Sequence, residues 1–180
     1  PGGLKLAQED FASLAGKSPP TQGKDYKYQG SYWDLFELMR ENLPTYKIES
    51  LKLYKLLIFN YLFSNGDAHL KNFSVIETPL GDFKLSPAYD LLNSHIHIED
   101  KDFALNEGLI PARMGQGSIS KQFQLLAGFA GIPEKQMNSI IALMISKSDE
   151  VKKLIDASFL EEKIQRNYLQ AYQLRFNKLK

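Results

Sequence analysis

SNGDAHLKNFS (64–74) is the stretch on which the reading of this chain turns. It follows an apolar run, Leu56–Phe63, broken only by Asn60, and it leads into a second one, FSVIE (73–77). Asn65-Gly66 is a strong turn signal, and Asp67 could cap whatever comes next. A plain turn, however, has no use for Asp67, His69, Lys71 and Asn72 together. A second acid, Asp90, stands 23 positions beyond Asp67. Between them FSVIE and FKLS (83–86) are short strand-like runs joined by TPLGD, which reads as a hairpin. A two-stranded hairpin carries its end back to its beginning. Asp90 is therefore expected beside Asp67 and Asn72.

This combination of groups suits phosphoryl transfer. That chemistry needs an acid to take or orient the proton of an attacking hydroxyl, and hard oxygen ligands for a Mg²⁺ that bridges the phosphates of ATP. Asp67 as base, with Asn72 and Asp90 as metal ligands, meets the requirement. The order of a catalytic Asp, an Asn five residues on, a short hairpin and a metal-binding Asp is that of kinases.

Outward from this centre the chain reads as mostly helical. Residues 8–15 (QEDFASLA) look like a short helix closed by Gly16, and 17–30 like a loop rich in Pro, Gly, Lys and Tyr. Ser31 caps a helix to about Asn42, with Asp34 in its first turn. A second helix covers about Ile48–Ser64; its apolar residues lie on nearly every side, as in a helix buried at the centre of a domain. Residues 93–117 are mixed, with a possible strand near Phe103–Asn106. One helix then runs from Ser118 or Ser120 to near Gly131, another from Pro133 to about Lys147, and a long last helix from Ser148 and Asp149 to the C-terminus. The expectation is one domain over 1–180, mostly α with a small β-hairpin.

Composition bounds the rest. The 180 residues are 43% apolar and 24% charged, with a net charge of +1, the profile of a globular protein without an excess of charge for nucleic acid or an anionic membrane. There is no cysteine, which excludes disulfides and thiolate metal sites and suits a reducing cytoplasm. PGGLKLAQED (1–10) lacks the basic-then-apolar order of a signal peptide, and Leu56–Phe63 is too short to span a bilayer.

GDAHLKN (66–72) matches the D-x-H-x-x-N form of the catalytic loop of lipid-kinase-like and aminoglycoside-phosphotransferase-like enzymes. The longer run NGDAHLKNFSV, followed by LSPAYDLL (85–92), resembles more particularly the HipA family of bacterial serine/threonine kinases, the toxins of toxin–antitoxin pairs. LAQEDFASLAG (6–16) and FALNEGL (103–109) look like segments of that family too. The resemblance implies a protein-kinase-like C-terminal lobe in which Asp67 is the catalytic Asp and Asn72 and Asp90 hold Mg²⁺ on ATP. His69 would orient the loop by hydrogen bonds, and Lys71 would help with phosphate charge. It also implies a serine on a protein as acceptor, translation proteins as targets, and a helix-turn-helix antitoxin as partner. The strand lysine, phosphate-covering loop and adenine-binding hinge of an N-terminal lobe find no counterpart here, so such a lobe is expected elsewhere in the same protein or on a separate chain. The chain alone is then expected to bind ATP weakly; a micromolar affinity would contradict this. A small-molecule phosphotransferase and a non-catalytic interaction subunit of a split kinase are the alternatives.

Two further features read as structure. His95 and His97 would share one face of a strand and, with Asp67 and His69, could ligate a transition metal; a polar strand end accounts for them as well. KDYKYQGSYW (24–33) mixes Tyr and Lys as base-stacking surfaces do, but the charge balance favours aromatics packed on the following helix.

Overall fold

The computed structural model describes residues 5–94, 101–114 and 117–180. Near its start, Gln8–Asp10 form a strand, β1, and Phe11–Leu14 a single helical turn, α1, capped by Asp10, whose carboxylate accepts the Ser13 N–H at 2.9 Å. This corrects the helix expected over 8–15. Helix propensities differ by only tenths of a kcal/mol per residue, and here they yield to backbone pairing. β1 runs antiparallel to β2 (Ser74–Glu77), with Glu9 opposite Val75. β2 pairs on its other side with β3 (Phe83–Leu85), with Val75 opposite Leu85. The expected hairpin is thus present, widened to a three-stranded antiparallel sheet.

The expected loop 17–30 holds a short helix, α2 (Pro19–Gln22), and a 3₁₀ turn, Tyr26–Tyr28. Ser31 then starts α3 (Tyr32–Asn42) as its sequence predicts: its backbone N–H and its hydroxyl both donate to the Asp34 carboxylate, at 2.9 and 3.1 Å. α4 (Tyr46–Leu62) is the central helix. Leu53, Tyr54, Leu57, Ile58, Tyr61 and Leu62 are all buried on it, each apolar side chain contributing about 1.5–3 kcal/mol. The buried Glu49 carboxylate accepts the Leu85 N–H at 3.2 Å and pairs with Lys52 at 2.7 Å. That contact fastens the sheet to the central helix, so that both ends of the polar stretch 63–73 are fixed.

The C-terminal part is helical: α5 (Ile119–Phe129), α6 (Glu134–Ser146), α7 (Ser148–Asp156) and α8 (Glu162–Leu179). The single long last helix of the sequence reading is in fact two. Ser158 ends α7, with its N–H and hydroxyl both donating to the Ile155 carbonyl, and its own carbonyl accepts from Gln165 of α8. The strand expected near Phe103–Asn106 is also absent. Residues 106–109 instead exchange single backbone bonds with 28–33: Asn106 N–H to Tyr28 O at 2.9 Å, Glu107 N–H to Gly30 O, Tyr32 N–H to Gly108 O and Trp33 N–H to Leu109 O. Among the described residues no helix is long and apolar enough to cross a membrane.

Candidate active site

The polar stretch begins with a sharp exit from α4. Ser64 takes a left-handed φ of 56°, and the Asn65 N–H returns to the Asn60 carbonyl at 2.9 Å. Ser94 then bolts the turn from the far side of the hairpin. Its hydroxyl accepts the Gly66 N–H at 2.7 Å and donates to the Ser64 carbonyl at 3.1 Å, the same carbonyl its N–H reaches. Gly66 allows this approach, since a Cβ there would stand 3.1 Å from Ser94 Oγ and 3.3 Å from the Lys101 carbonyl. Gly66→Ala is therefore expected to cost about 1–3 kcal/mol by forcing the backbone of 101 away; a denaturant midpoint equal to wild type would contradict this.

The loop closes on itself through backbone groups. The His69 N–H donates to the Asp67 carbonyl at 2.7 Å and to Asn72 Oδ1 at 3.0 Å, and the Asn72 N–H to the His69 carbonyl at 2.9 Å. A backbone N–H can only donate, so the side of the Asn72 amide that meets it must be the oxygen. The Asn72 NH₂ is thereby turned outward, where it donates to the Asp90 carboxylate. The expected meeting of Asn72 and Asp90 across the hairpin is what the structure shows. Asp90 itself has φ 54°, a left-handed conformation that non-glycine residues seldom adopt, and Asn65 Nδ2 holds its carbonyl at 3.1 Å. Backbone held in a sparsely populated region points toward function when its surroundings enforce it.

Three tyrosines support the loop, and sequence reasoning missed all of them as site residues. Tyr28 donates its phenolic O–H to Asp67 Oδ1 at 2.8 Å. Tyr32, buried, donates to the Ala68 carbonyl at 2.7 Å. Tyr89, next to Asp90, donates to the Lys71 carbonyl at 2.7 Å and meets the Ser74 hydroxyl. Tyr28 and Tyr32 of KDYKYQGSYW thus pack against the polar loop, and nothing local in that segment marks them for it.

His69 is buried, and its ring sits edge-on to Tyr28 at 5.2 Å. Its backbone makes the hydrogen bonds that close the loop, while the ring's Nδ1 has no hydrogen-bond partner. Burial foremost, then the nearby Lys27 charge, lowers its pKa; Asp67 and Asp90 pull the other way, which places both acids within electrostatic reach of one imidazole. Lys71 is exposed, and its side chain makes no hydrogen bond or ion pair among the described residues. His95 and His97 lie outside the described residues. No group of three or more His, Cys, Asp or Glu side chains among the described residues could hold a metal ion.

Comparison with known proteins identifies the family and the fold. Residues 2–152 match the HipA-like C-terminal domain. Two Sinorhizobium fredii proteins with provisional kinase names, Y4mE and Y4dM, are 38% and 37% identical over 92 and 97 residues, about half of this chain and 21% and 22% of theirs. A Haemophilus influenzae protein with a provisional kinase name is 26% identical over 83% of this chain and 44% of its own length. The chain thus spans less than half the length of these relatives. Among solved structures, a chain of the Shewanella oneidensis HipA–HipB–operator DNA toxin–antitoxin complex superposes with a TM-score of 0.55 at 19% identity, covering 88% of this chain and 38% of that one. The Helicobacter pylori proinflammatory kinase CtkA does so with a TM-score of 0.54 at 14% identity, covering 97% of this chain and 69% of that one. A mostly helical kinase-like fold, an Asn72–Asp90 pair closed across a hairpin and a family match over most of the sequence lead to one statement: the chain belongs to the HipA-like C-terminal domain family.

Proposed function

We propose that this chain is the C-terminal catalytic lobe of a serine/threonine protein kinase that moves the γ-phosphoryl group of ATP to a protein hydroxyl. The observation that carries the reading is the Asn72 amide held against the Asp90 carboxylate, with Asp67 on the same short loop. Asp67 takes the proton of the acceptor hydroxyl as its oxygen bonds to the γ-phosphorus, and ADP departs. Asn72 and Asp90 would hold Mg²⁺: Asn72 Oδ1 spends one lone pair on the His69 N–H and keeps a second, and Asp90 is exposed. When bound, the ion neutralises charge on the phosphates. His69 keeps the loop in register through its backbone, and Lys71 adds positive charge at the exposed edge.

The family relation and the toxin–antitoxin context of one structural neighbour support a toxin role with an antitoxin partner; a helix-turn-helix form of that partner and a cytoplasmic setting belong to the same proposal. The nucleotide clamp of an N-terminal lobe, in the same protein or another chain, would complete the site. The test is transfer from labelled ATP by the complete gene product, with a bacterial lysate and an aminoglycoside offered in parallel. Mg²⁺-dependent label on protein serine or threonine is expected. Label on the aminoglycoside alone would make the chain a small-molecule phosphotransferase.

A further inference from the structure

Asp67 accepts one side-chain hydrogen bond among the described residues, and it comes from outside the catalytic loop. Tyr28 donates its O–H to Oδ1 at 2.8 Å, well inside the range for a bond between a hydroxyl and a carboxylate. Tyr28 is also firmly held. Its carbonyl accepts the Asn106 N–H at 2.9 Å. The Asn106 side chain spans Gly30 N–H and Gln29 Oε1, and Lys17 Nζ reaches the Gln29 carbonyl at 2.7 Å. The ring rests edge-on against the buried His69. A displaceable lid would not be anchored on both backbone and ring.

Beside this pair opens a cleft of about 710 Å³, lined by Tyr28, Gln29, Asp67, Phe103 and Leu105 among others. No hydrogen bond among the described residues reaches Asp67 Oδ2. We propose that Tyr28 is a positioning residue: it fixes the Asp67 carboxylate through Oδ1, leaving Oδ2 for the acceptor hydroxyl, which a segment of protein substrate brings into the cleft walled by Tyr28 and Phe103. The inference rests on the kinase reading above and deepens it. Two properties support it. Burial first, then the hydrogen bond and charge of Asp67, push the Tyr28 phenol up to about 12, so it stays a donor at working pH. The cleft also brings Asp25, Asp67 and Lys101 together with Phe103 and Leu105, so it offers charged and apolar contacts of the kinds a peptide segment can use.

The experiment compares wild type, Tyr28→Phe, Tyr28→Leu and Asp67→Asn in the complete gene product, following transfer from labelled ATP·Mg²⁺ to lysate protein and measuring ATP affinity and melting temperature. Tyr28→Phe removes one oxygen and keeps the ring on His69. It is expected to lower kcat about ten- to a hundredfold, the scale of one hydrogen bond to a charged group, with KM and Kd for ATP unchanged and the melting temperature lowered by only about 2–4 °C. A purely structural role would lower the melting temperature and leave kcat at its wild-type value; Tyr28→Leu, which also removes the ring from His69, is expected to lower the melting temperature further. Wild-type kcat in Tyr28→Phe, a faster Tyr28→Phe, or phosphate found on Tyr28 itself would each overturn the inference. Full activity in Asp67→Asn would overturn the kinase reading instead, so the two failures are separable.

Discussion

Asp67→Asn is expected to lower kcat for transfer to protein by about 10²–10⁴, the usual worth of a positioned general base, while the fold stays intact. Asparagine has the shape of aspartate and keeps an oxygen at the position of Oδ1, so Tyr28 can still donate to it. The loop is closed by the backbone groups of Asp67 and His69 and by the Asn72 side chain, none of which the substitution alters. What is lost is the capacity to take a proton. Exchanging a charged acceptor for a neutral one at a half-buried site weakens that hydrogen bond by about 1 kcal/mol, and in a domain of this size that moves the melting temperature by about 2–4 °C. Parallel assays of label transfer and thermal unfolding separate the readings. Near-abolished transfer with a nearly normal melt supports catalysis. Unchanged transfer would leave the chain a scaffold that completes some other active site.

The parts of this structure that could be read in the sequence are those fixed by local chemistry. Ser31 with Asp34 announced α3, the mostly apolar Leu51–Phe63 announced a buried helix, and two β-prone runs joined by the Gly-containing TPLGD announced a hairpin; all three are present. The pairing of Asn72 with Asp90 was legible because a hairpin returns its chain to its start, which needs no knowledge of the rest of the fold. What escaped depends on partners distant in sequence. QEDFASLA contains a helical turn, but Gln8–Asp10 are strand because the free edge of β2 lies beside them. The break at Ser158 depends on Gln165 reaching back from α8 as well as on the Ser158 hydroxyl. Tyr28 reaches Asp67 only because 28–33 and 106–109 hold each other across more than 70 positions. A tyrosine in a Lys-rich loop carries no local mark of that destination.

The second large effect is expected far from the loop. Arg175 of α8 lies beyond the residues matched to the family, yet it is only 3% exposed and reaches the floor of the site. One guanidinium nitrogen donates to the Tyr61 carbonyl at 3.0 Å, and another donates to the Lys101 carbonyl at 3.2 Å and stands 3.8 Å from Asp102. Tyr61 is in the last turn of α4, just before the left-handed Ser64, and the Lys101 carbonyl is the group that a Cβ on Gly66 would crowd. Arg175 thus joins the C-terminal end of α4, where a cation also favours the helix dipole, to the segment that returns after the hairpin. Arg175→Ala leaves two carbonyls short of a donor and a void beside the Tyr61 ring, and is expected to cost about 3–5 kcal/mol, lowering the melting temperature by about 6–20 °C. Lys178→Ala is the control. Lys178 also faces Asp102, at 3.5 Å, but is mostly exposed, and a surface pair of that kind is worth at most about 1 kcal/mol. Equal melting temperatures for the two variants would show that α8 is an appendage. A large difference, with transfer activity falling along with stability in Arg175→Ala, would make α8 part of the unit that holds Asp67, Asn72 and Asp90 in place.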